Sequence, residues 1–331
     1  MSISLSIKKI YKTRIFKFLI IAFFIVCSGV IWQYVMSNQE KNKYEPPGKL
    51  IEVNNHMMHI YAKGNGTPTV VFTTGSGTPC AYTDYYFIQK ELIKSVRTVS
   101  YDRPGYGWSE TTNKSRTIGN QVEELHELLN KAGEKPPYIL VGHSLSSLEV
   151  IHYAQVFKEE VCGIILIDGG NPMYYLNYSE FNAKAVNCLF QFTRVTGLAR
   201  AMGSVGFYPP FCGEDLRHKL LPNELQDIDE KMFYNKLGLE SNWNSLKNIN
   251  ENAKKVLESG KLGDIPLVIL TAGDATRNWK ESQVDLKTWS SKSKQEEING
   301  ASHYIHWNYP DIIVERIQEL ISSSILEQFP K

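Results

Sequence analysis

From residue 50 onward, short apolar runs alternate with stretches whose apolar residues recur every three or four positions. The short runs, bounded by Gly, Pro, Asn or Asp, read as strands; the periodic stretches read as helices with one apolar face. Residues 50–53 and 57–62 flank Asn54-Asn55, a hairpin signal. Further strands are expected at 69–74, 97–101, 138–142, 161–168, 266–272 and 294–298. Helices are expected over about 82–94, over 117–132 and from just after Ser144. In the second of these, Val122, Leu125, Leu128 and Leu129 share a face, and Gly133 ends it. A closing helix over 309–329 turns Ile312, Ile313, Ile317, Leu320 and Ile321 inward. This alternation predicts an α/β fold: a mostly parallel sheet of eight strands with helices on both faces. In such sheets ligands bind beyond the carboxyl ends of the strands.

Two regions depart from the alternation. Residues 171–263, after the sixth strand, are crowded with aromatics, among them Tyr174, Tyr175, Tyr178, Phe181, Phe190, Phe192, Phe207, Tyr208 and Phe211. They read as a helical cap, with a core of its own, over the strand ends. Its aromatic density predicts an apolar pocket rather than a charged one. The other region is the N-terminus. Residues 1–17 carry Lys8, Lys9, Lys12, Arg14 and Lys17, and then no charge appears from Phe18 to Gln39, a run of 22 residues. At ~1.5 Å per residue that run is long enough to cross a bilayer. Trp32 and Tyr34 lie near its far end, where aromatic rings favour the membrane interface.

A cleaved signal peptide would need a shorter apolar core, and apolar residues continue past the small residues Cys27-Ser28-Gly29. A buried core helix would show a polar stripe, which is missing. A signal anchor fits best, with residues 18–39 spanning the membrane and residues 40–49 as a polar, Pro-containing linker. The basic flank then stays in the cytoplasm, which places residues 50–331 on the extracytoplasmic side of the cell membrane in a single-pass arrangement.

Composition narrows the function. The net charge is +1, so no basic surplus points to nucleic acid. Five cysteines show no metal spacing. Cys162 begins an apolar strand and is expected to be buried. Cys188 and Cys212 could pair in an oxidising compartment.

The candidate chemistry centres on Gly142-His143-Ser144-Leu145-Ser146, where an apolar strand turns within three residues into a helix. Such a turn throws Ser144 out of the sheet edge on a strained backbone that requires small neighbours. The Leu145 N–H, at the helix start, is a candidate oxyanion donor. A second donor is expected from the loop Thr74-Gly75-Ser76-Gly77, with Ser76 N–H the choice. A serine hydroxyl needs a base. His303 follows the last strand and precedes the closing helix; His306 is its competitor. His143 is expected to pack, and His56, His59, His126, His152 and His218 to be structural.

These segments, with Asp102-Arg103-Pro104-Gly105-Tyr106-Gly107 and Ile164-Ile165-Leu166-Ile167-Asp168, resemble the α/β-hydrolase superfamily over residues 50–329. The resemblance implies acyl transfer to water, with Ser144 attacking a carbonyl, His303 taking its proton and a carboxylate orienting the histidine. It implies no metal or organic cofactor. Ser144 argues against the subclasses with an aspartate nucleophile, the haloalkane dehalogenases and epoxide hydrolases. Esterase, peptidase, thioesterase and carbon–carbon hydrolase remain open, with a small-molecule acyl ester as the first expectation. A catalytically silent, membrane-tethered binding protein is the rival reading.

Two carboxylates compete. Asp274 follows the seventh strand, 29 residues before His303, the usual place in the superfamily; Asp168 ends the sixth strand, 24 residues after Ser144, and is slightly favoured. Two departures stand out: Thr74-Gly75 where the family has His-Gly, and Ser146-Ser147 where it often has Gly-Gly. Both are small replacements, so altered loop packing is expected.

Overall fold

The computed structural model describes residues 2–207, 217 and 219–328, leaving aside the side chains of 2–13, 42 and 324–328. Tyr208, Phe211, Cys212, His218 and Phe329 lie outside these residues, and with Cys212 the Cys188–Cys212 pairing. The strands are β1 (Lys49–Val53), β2 (His56–Lys63), β3 (Thr69–Thr73), β4 (Arg97–Tyr101), β5 (Tyr138–His143), β6 (Val161–Ile167), β7 (Leu267–Ala272) and β8 (Ser293–Ile298). They form one sheet in the order β1-β2-β4-β3-β5-β6-β7-β8. The β1–β2 and β2–β4 pairs are antiparallel and the rest parallel. Asn54 and Asn55 both take left-handed conformations, φ 50° and 64°. That pair of positive φ values is what a two-residue hairpin turn demands.

The helices, in chain order, are α1 (Ser2–Lys43), α2 (Ala81–Asp84), α3 (Tyr86–Leu92), α4 (Ile118–Ala132), α5 (Ser147–Val156), α6 (Pro172–Tyr175), α7 (Glu180–Val195), α8 (Leu198–Ser204), α9 (Asn223–Lys236), α10 (Glu240–Leu246), α11 (Ile249–Glu258), α12 (Arg277–Leu286), α13 (Ile305–Asn308) and α14 (Pro310–Gln328). The pleat explains why the central strands are apolar throughout. Leu140, Ile164 and Leu166 face one core with α4 and α5, while Ile139, Val141, Ile165 and Ile167 face the other with α3 and α14. Val122, Leu125, Leu128 and Leu129 of α4 are all buried. Thr117 caps α4 by accepting from Asn120 N, and Gly133 ends it at φ 81°.

α6 to α11 form the cap between β6 and β7. α1 runs on through Lys43, past the expected start of the linker, because the cap supplies partners for its last turns. Glu40 bonds Arg200 and Asn235, and Lys43 bonds Asp227. Its segment Arg14–Lys41 is long and apolar enough to cross a membrane. Cys162 is half-buried, its thiol reaching Tyr138 O at 3.4 Å, rather than buried as its apolar strand suggests.

Candidate active site

The site is built where β5 stops. Ser144 opens a 3₁₀ turn, Ser144–Ser146, before α5 begins. Its φ is 54°, a left-handed conformation that costs a non-glycine residue energy. The turn is tight enough that a Cβ on Gly142 would lie 2.9 Å from Val150 Cγ2. Ser146 has no such need for glycine, at φ −67°. Its hydroxyl lies 2.8 Å from both Thr73 O and His143 O, and Ser147 Oγ donates to Gly170 O at 2.6 Å. The two serines therefore tie the elbow to neighbouring loops through hydroxyls that glycines would lack.

Ser144 Oγ lies 2.9 Å from His303 Nε2, and His303 Nδ1 lies 2.5 Å from Asp168 Oδ2. Asp168 ends β6, the strand beside β5, and is itself left-handed at φ 42°. Its other oxygen, Oδ1, accepts from Ala272 N at 3.0 Å and Gln283 Nε2 at 2.8 Å. Burial pushes the Asp168 pKa up, but the bonds from His303, Ala272 and Gln283 outweigh it and hold the carboxyl below its ordinary value. An ionised Asp168 accepts from His303 Nδ1–H. Nε2 is then the bare nitrogen facing the serine hydroxyl.

The other candidates separate cleanly. Asp274 is exposed at the cavity's edge, its N–H donating to Ala301 O, and among the described residues it makes no bond to His303. The structure thus brings Asp168 to the histidine and leaves Asp274 out, because Asp168 already occupies Nδ1. His306 is buried and directs Nε2 at Asp84 Oδ1, 3.2 Å away, rather than at Ser144. His143 is buried with Nε2 3.0 Å from His303 O, which makes it a brace beneath the base. His59 is also buried, with Nδ1 2.7 Å from Asp102 Oδ2, a structural pair.

Ser76 and Leu145 line the cavity together with Ser144. Leu145 N–H belongs to the first turn, where the helix ladder provides no acceptor. The Ser76 loop is pressed onto the elbow: a Cβ on Gly75 would lie 2.6 Å from His143 Nδ1. Ser76 Oγ also meets Asn242 Oδ1 at 3.1 Å, and Asn242 Nδ2 donates to Asn187 Oδ1 at 2.9 Å. The loop is thereby linked to α10 and α7 of the cap.

The comparisons with known proteins bear on this geometry. The family model described as alpha/beta hydrolase fold matches residues 68–310. The chain belongs to the alpha/beta hydrolase fold family. It is similar to YbdG of Bacillus subtilis (strain 168), an uncharacterised protein, at 28% identity over 89% of this chain and 91% of that one. It is similar to YqjL of the same organism, also uncharacterised, at 24% over 78% and 84%. Among solved structures, an epoxide hydrolase of Vigna radiata superposes with a TM-score of 0.65 at 19% identity, over 83% of this chain and 97% of that one. A thermophilic esterase from Thermogutta terrifontis gives a TM-score of 0.61 at 18% identity, over the same shares. At such identities the two structures show a shared fold and no more.

Between sheet edge and cap the hydrolase encloses a cavity of about 740 Å³. Tyr174, Tyr175, Tyr178, Phe190, Phe233 and Trp279 line it, as the aromatic density leads one to expect. It is not wholly apolar, for Arg217, Lys236, Asn187 and Asn242 line it too. Burial draws the Lys236 pKa below its ordinary value. Phe181, Phe192 and Phe207 instead face out of the cap. Two residues that matter escape sequence reasoning. Tyr175 is buried and lines the cavity with Ser144, and Gln283 holds Asp168. Tyr175 is visible in the sequence only as one of many aromatics; Gln283 sits in an amphipathic helix and carries no motif.

Proposed function

We propose that this chain is a membrane-anchored serine hydrolase that cleaves an ester or related acyl bond. The supporting observation is the run of bonds from Ser144 through His303 to Asp168. In this reading Ser144 Oγ attacks the carbonyl carbon while His303 Nε2 takes its proton. The oxyanion that forms is met by the N–H groups of Leu145 and Ser76. His303 then protonates the leaving group, and an acyl-enzyme remains on Ser144. Water attacks the acyl-enzyme with His303 again as base, which restores the serine. Asp168 stays ionised throughout and stabilises the imidazolium. A hydroxyl nucleophile at position 144 supports this acyl route over the chemistry named for the epoxide hydrolase neighbours.

The anchor reading rests on Arg14–Lys41. With Arg14 and Lys17 on the cytoplasmic side, the hydrolase domain faces outward. A fluorophosphonate probe on the full chain in membranes tests the chemistry. Labelling of the wild type, lost in Ser144→Ala, is expected, along with turnover of 4-nitrophenyl acyl esters. An unlabelled wild type would favour a silent binding protein. Protease added to intact cells should cut the domain, and a mature N-terminus near residues 28–40 would replace the anchor with a secreted form.

A further inference from the structure

The cap carries an apolar face that its own core does not explain. Along α7, Phe181, Ala185, Cys188, Phe192 and Val195 recur at helical spacing and are all exposed. Phe181 is 80% exposed and Phe192 54%; beyond α8, Val205 is 81% exposed and Phe207 57%. Lys184, at the border of this stripe, lays its ammonium over the Trp243 ring. The opposite side of α7 puts Ala183, Asn187 and Phe190 on the cavity. One helix therefore separates the cavity from an apolar outer surface. An exposed patch of this kind marks an interaction site.

The way α1 meets the cap identifies what covers the patch. A Cβ on Gly29 would lie 2.2 Å from Thr196 O, and one on Gly197 would lie 2.8 Å from Gly29 O. The junction of α7 and α8 is thus in backbone contact with α1 at Gly29. Only eleven residues, Phe18 to Ser28, precede that contact in the uncharged run. They span about 16 Å at ~1.5 Å per residue. A bilayer core of ~30 Å needs about 20 residues. If the cap stayed clear of the bilayer, Arg14 and Lys17 would be drawn into hydrocarbon. If the core instead begins at Phe18, it extends to about Ser37, roughly 12 Å past the cap contact. The α7–α8 junction and the exposed residues beside it, Val195 and Leu198, then lie at lipid depth. Gln33, Ser37 and Glu40 do not face that lipid, because Tyr234, Asn235 and Arg200 of the cap take their polar atoms.

We propose that the α7–α8 face of the cap is seated in the lipid bilayer beside α1, and that the cavity draws a long-chain acyl ester from the lipid phase. The substrate half of this rests on the serine hydrolase reading above, and the seating on the anchor reading. Tyr174, Tyr178 and Val186 both line the cavity and are exposed, so they form the rim by which an acyl chain passes from lipid to Ser144.

The test uses the full chain in phosphatidylcholine vesicles containing a phosphatidylcholine with a diazirine in its acyl chain. After irradiation, mass spectrometry should find adducts on residues 181–207 as well as on 18–37. Adducts confined to 18–37 would overturn the seating. The substrate half is read from Phe181→Ser/Phe192→Ser/Val205→Ser, none of which lines the cavity. This variant should hydrolyse vesicle-borne 4-methylumbelliferyl oleate about tenfold more slowly than wild type, with 4-methylumbelliferyl acetate hydrolysis and fluorophosphonate labelling unchanged. No loss, or equal loss on both esters, overturns it. If the wild type takes no fluorophosphonate and cleaves neither ester, the hydrolase reading falls and the substrate half with it, while the photolabelling still decides the seating.

Discussion

The two walls of the cavity are held in different ways. On the sheet side, Ser144, Asp168 and the Ser76 loop stand at the ends of β5, β6 and β3, adjacent strands whose register is fixed by backbone bonds. On the cap side, α8 and α9 are fastened to α1 through Arg200, Tyr234 and Asn235, and α9 also to α2, where Thr83 donates to Asp229. Arg200 forms a buried two-bond pair with Glu40, at 2.5 and 2.8 Å, and Nε also reaches Gln33. On the proposed reading, the first wall positions the reacting atoms and the second governs access to them. Substitutions on the sheet wall should lower kcat, and those on the cap wall should leave the chemistry and alter access.

The largest effect tests whether the sheet wall acts through one carboxylate. Asp168→Asn removes the acceptor that fixes the His303 tautomer, so kcat should fall by up to ~10⁴. Asp274→Asn, an exposed change, should stay near wild type. Both are compared at matched folding, judged by circular dichroism. A large loss only in Asp274→Asn would move the acid to the other strand end.

Gly75→Ala comes next. Its Cβ would press on His143 Nδ1 at 2.6 Å and push the Ser76 loop off the elbow. Displacing one oxyanion donor costs about 10²-fold in kcat. KM should change little, because the cap wall is untouched. A raised KM with unchanged kcat would show that the loop binds substrate rather than the transition state.

On the cap wall, Glu40→Gln leaves the buried Arg200 guanidinium without its countercharge; the two side chains are 4% and 5% exposed. Removing one partner of such a pair costs about 3–5 kcal/mol. That loss should appear as faster hydrogen exchange in α8 and α9, with the rate of fluorophosphonate labelling unchanged. Slower labelling would mean that the walls are coupled, and the Ser76–Asn242–Asn187 bonds are the route by which they would be.

The walls also differ in how much of them the sequence discloses. A strand that stops in Gly-x-Ser announces its turn, because only a few residue types tolerate that backbone. Hence the turn at Ser144 and the eight strands are readable from spacing, whereas His303 is preferred over His306 only by the motif logic of the arrangement it resembles. The choice between Asp168 and Asp274 is not readable from spacing either, since both follow apolar strands by similar rules. It is made by Gln283 and Ala272 N, which come from elements more than a hundred residues beyond Asp168. The contacts of α1 are less legible still. Gln33, Ser37 and Glu40 read as polar residues at the end of a span, and their partners Tyr234, Asn235 and Arg200 lie at least 160 residues away.

The smallest effect is one of pH and belongs to the sheet wall. Burial, and the neighbouring His306 and His303, hold the His143 pKa well below its ordinary value. The unfolded chain, with a histidine pKa near 6.5, therefore binds a proton that the folded chain refuses. Stability contributed by neutral His143 is present above about pH 6.5 and declines as pH falls below it. His59 works in the opposite sense. Burial lowers its pKa, but the Asp102 carboxylate outweighs burial and raises it, so its contribution is full below about pH 6.5 and is lost as pH rises through the folded value. Each group can tilt stability by at most about 1.4 kcal/mol per pH unit, and the two tilts oppose. Between pH 6.5 and 5.5 the thermal midpoint of the full chain in detergent should fall less in His143→Gln than in wild type. It should fall more in His59→Gln. A wild-type-like slope in His143→Gln would show that the brace beneath His303 carries a proton after all, and that the sheet wall is less rigidly set than its bonds imply.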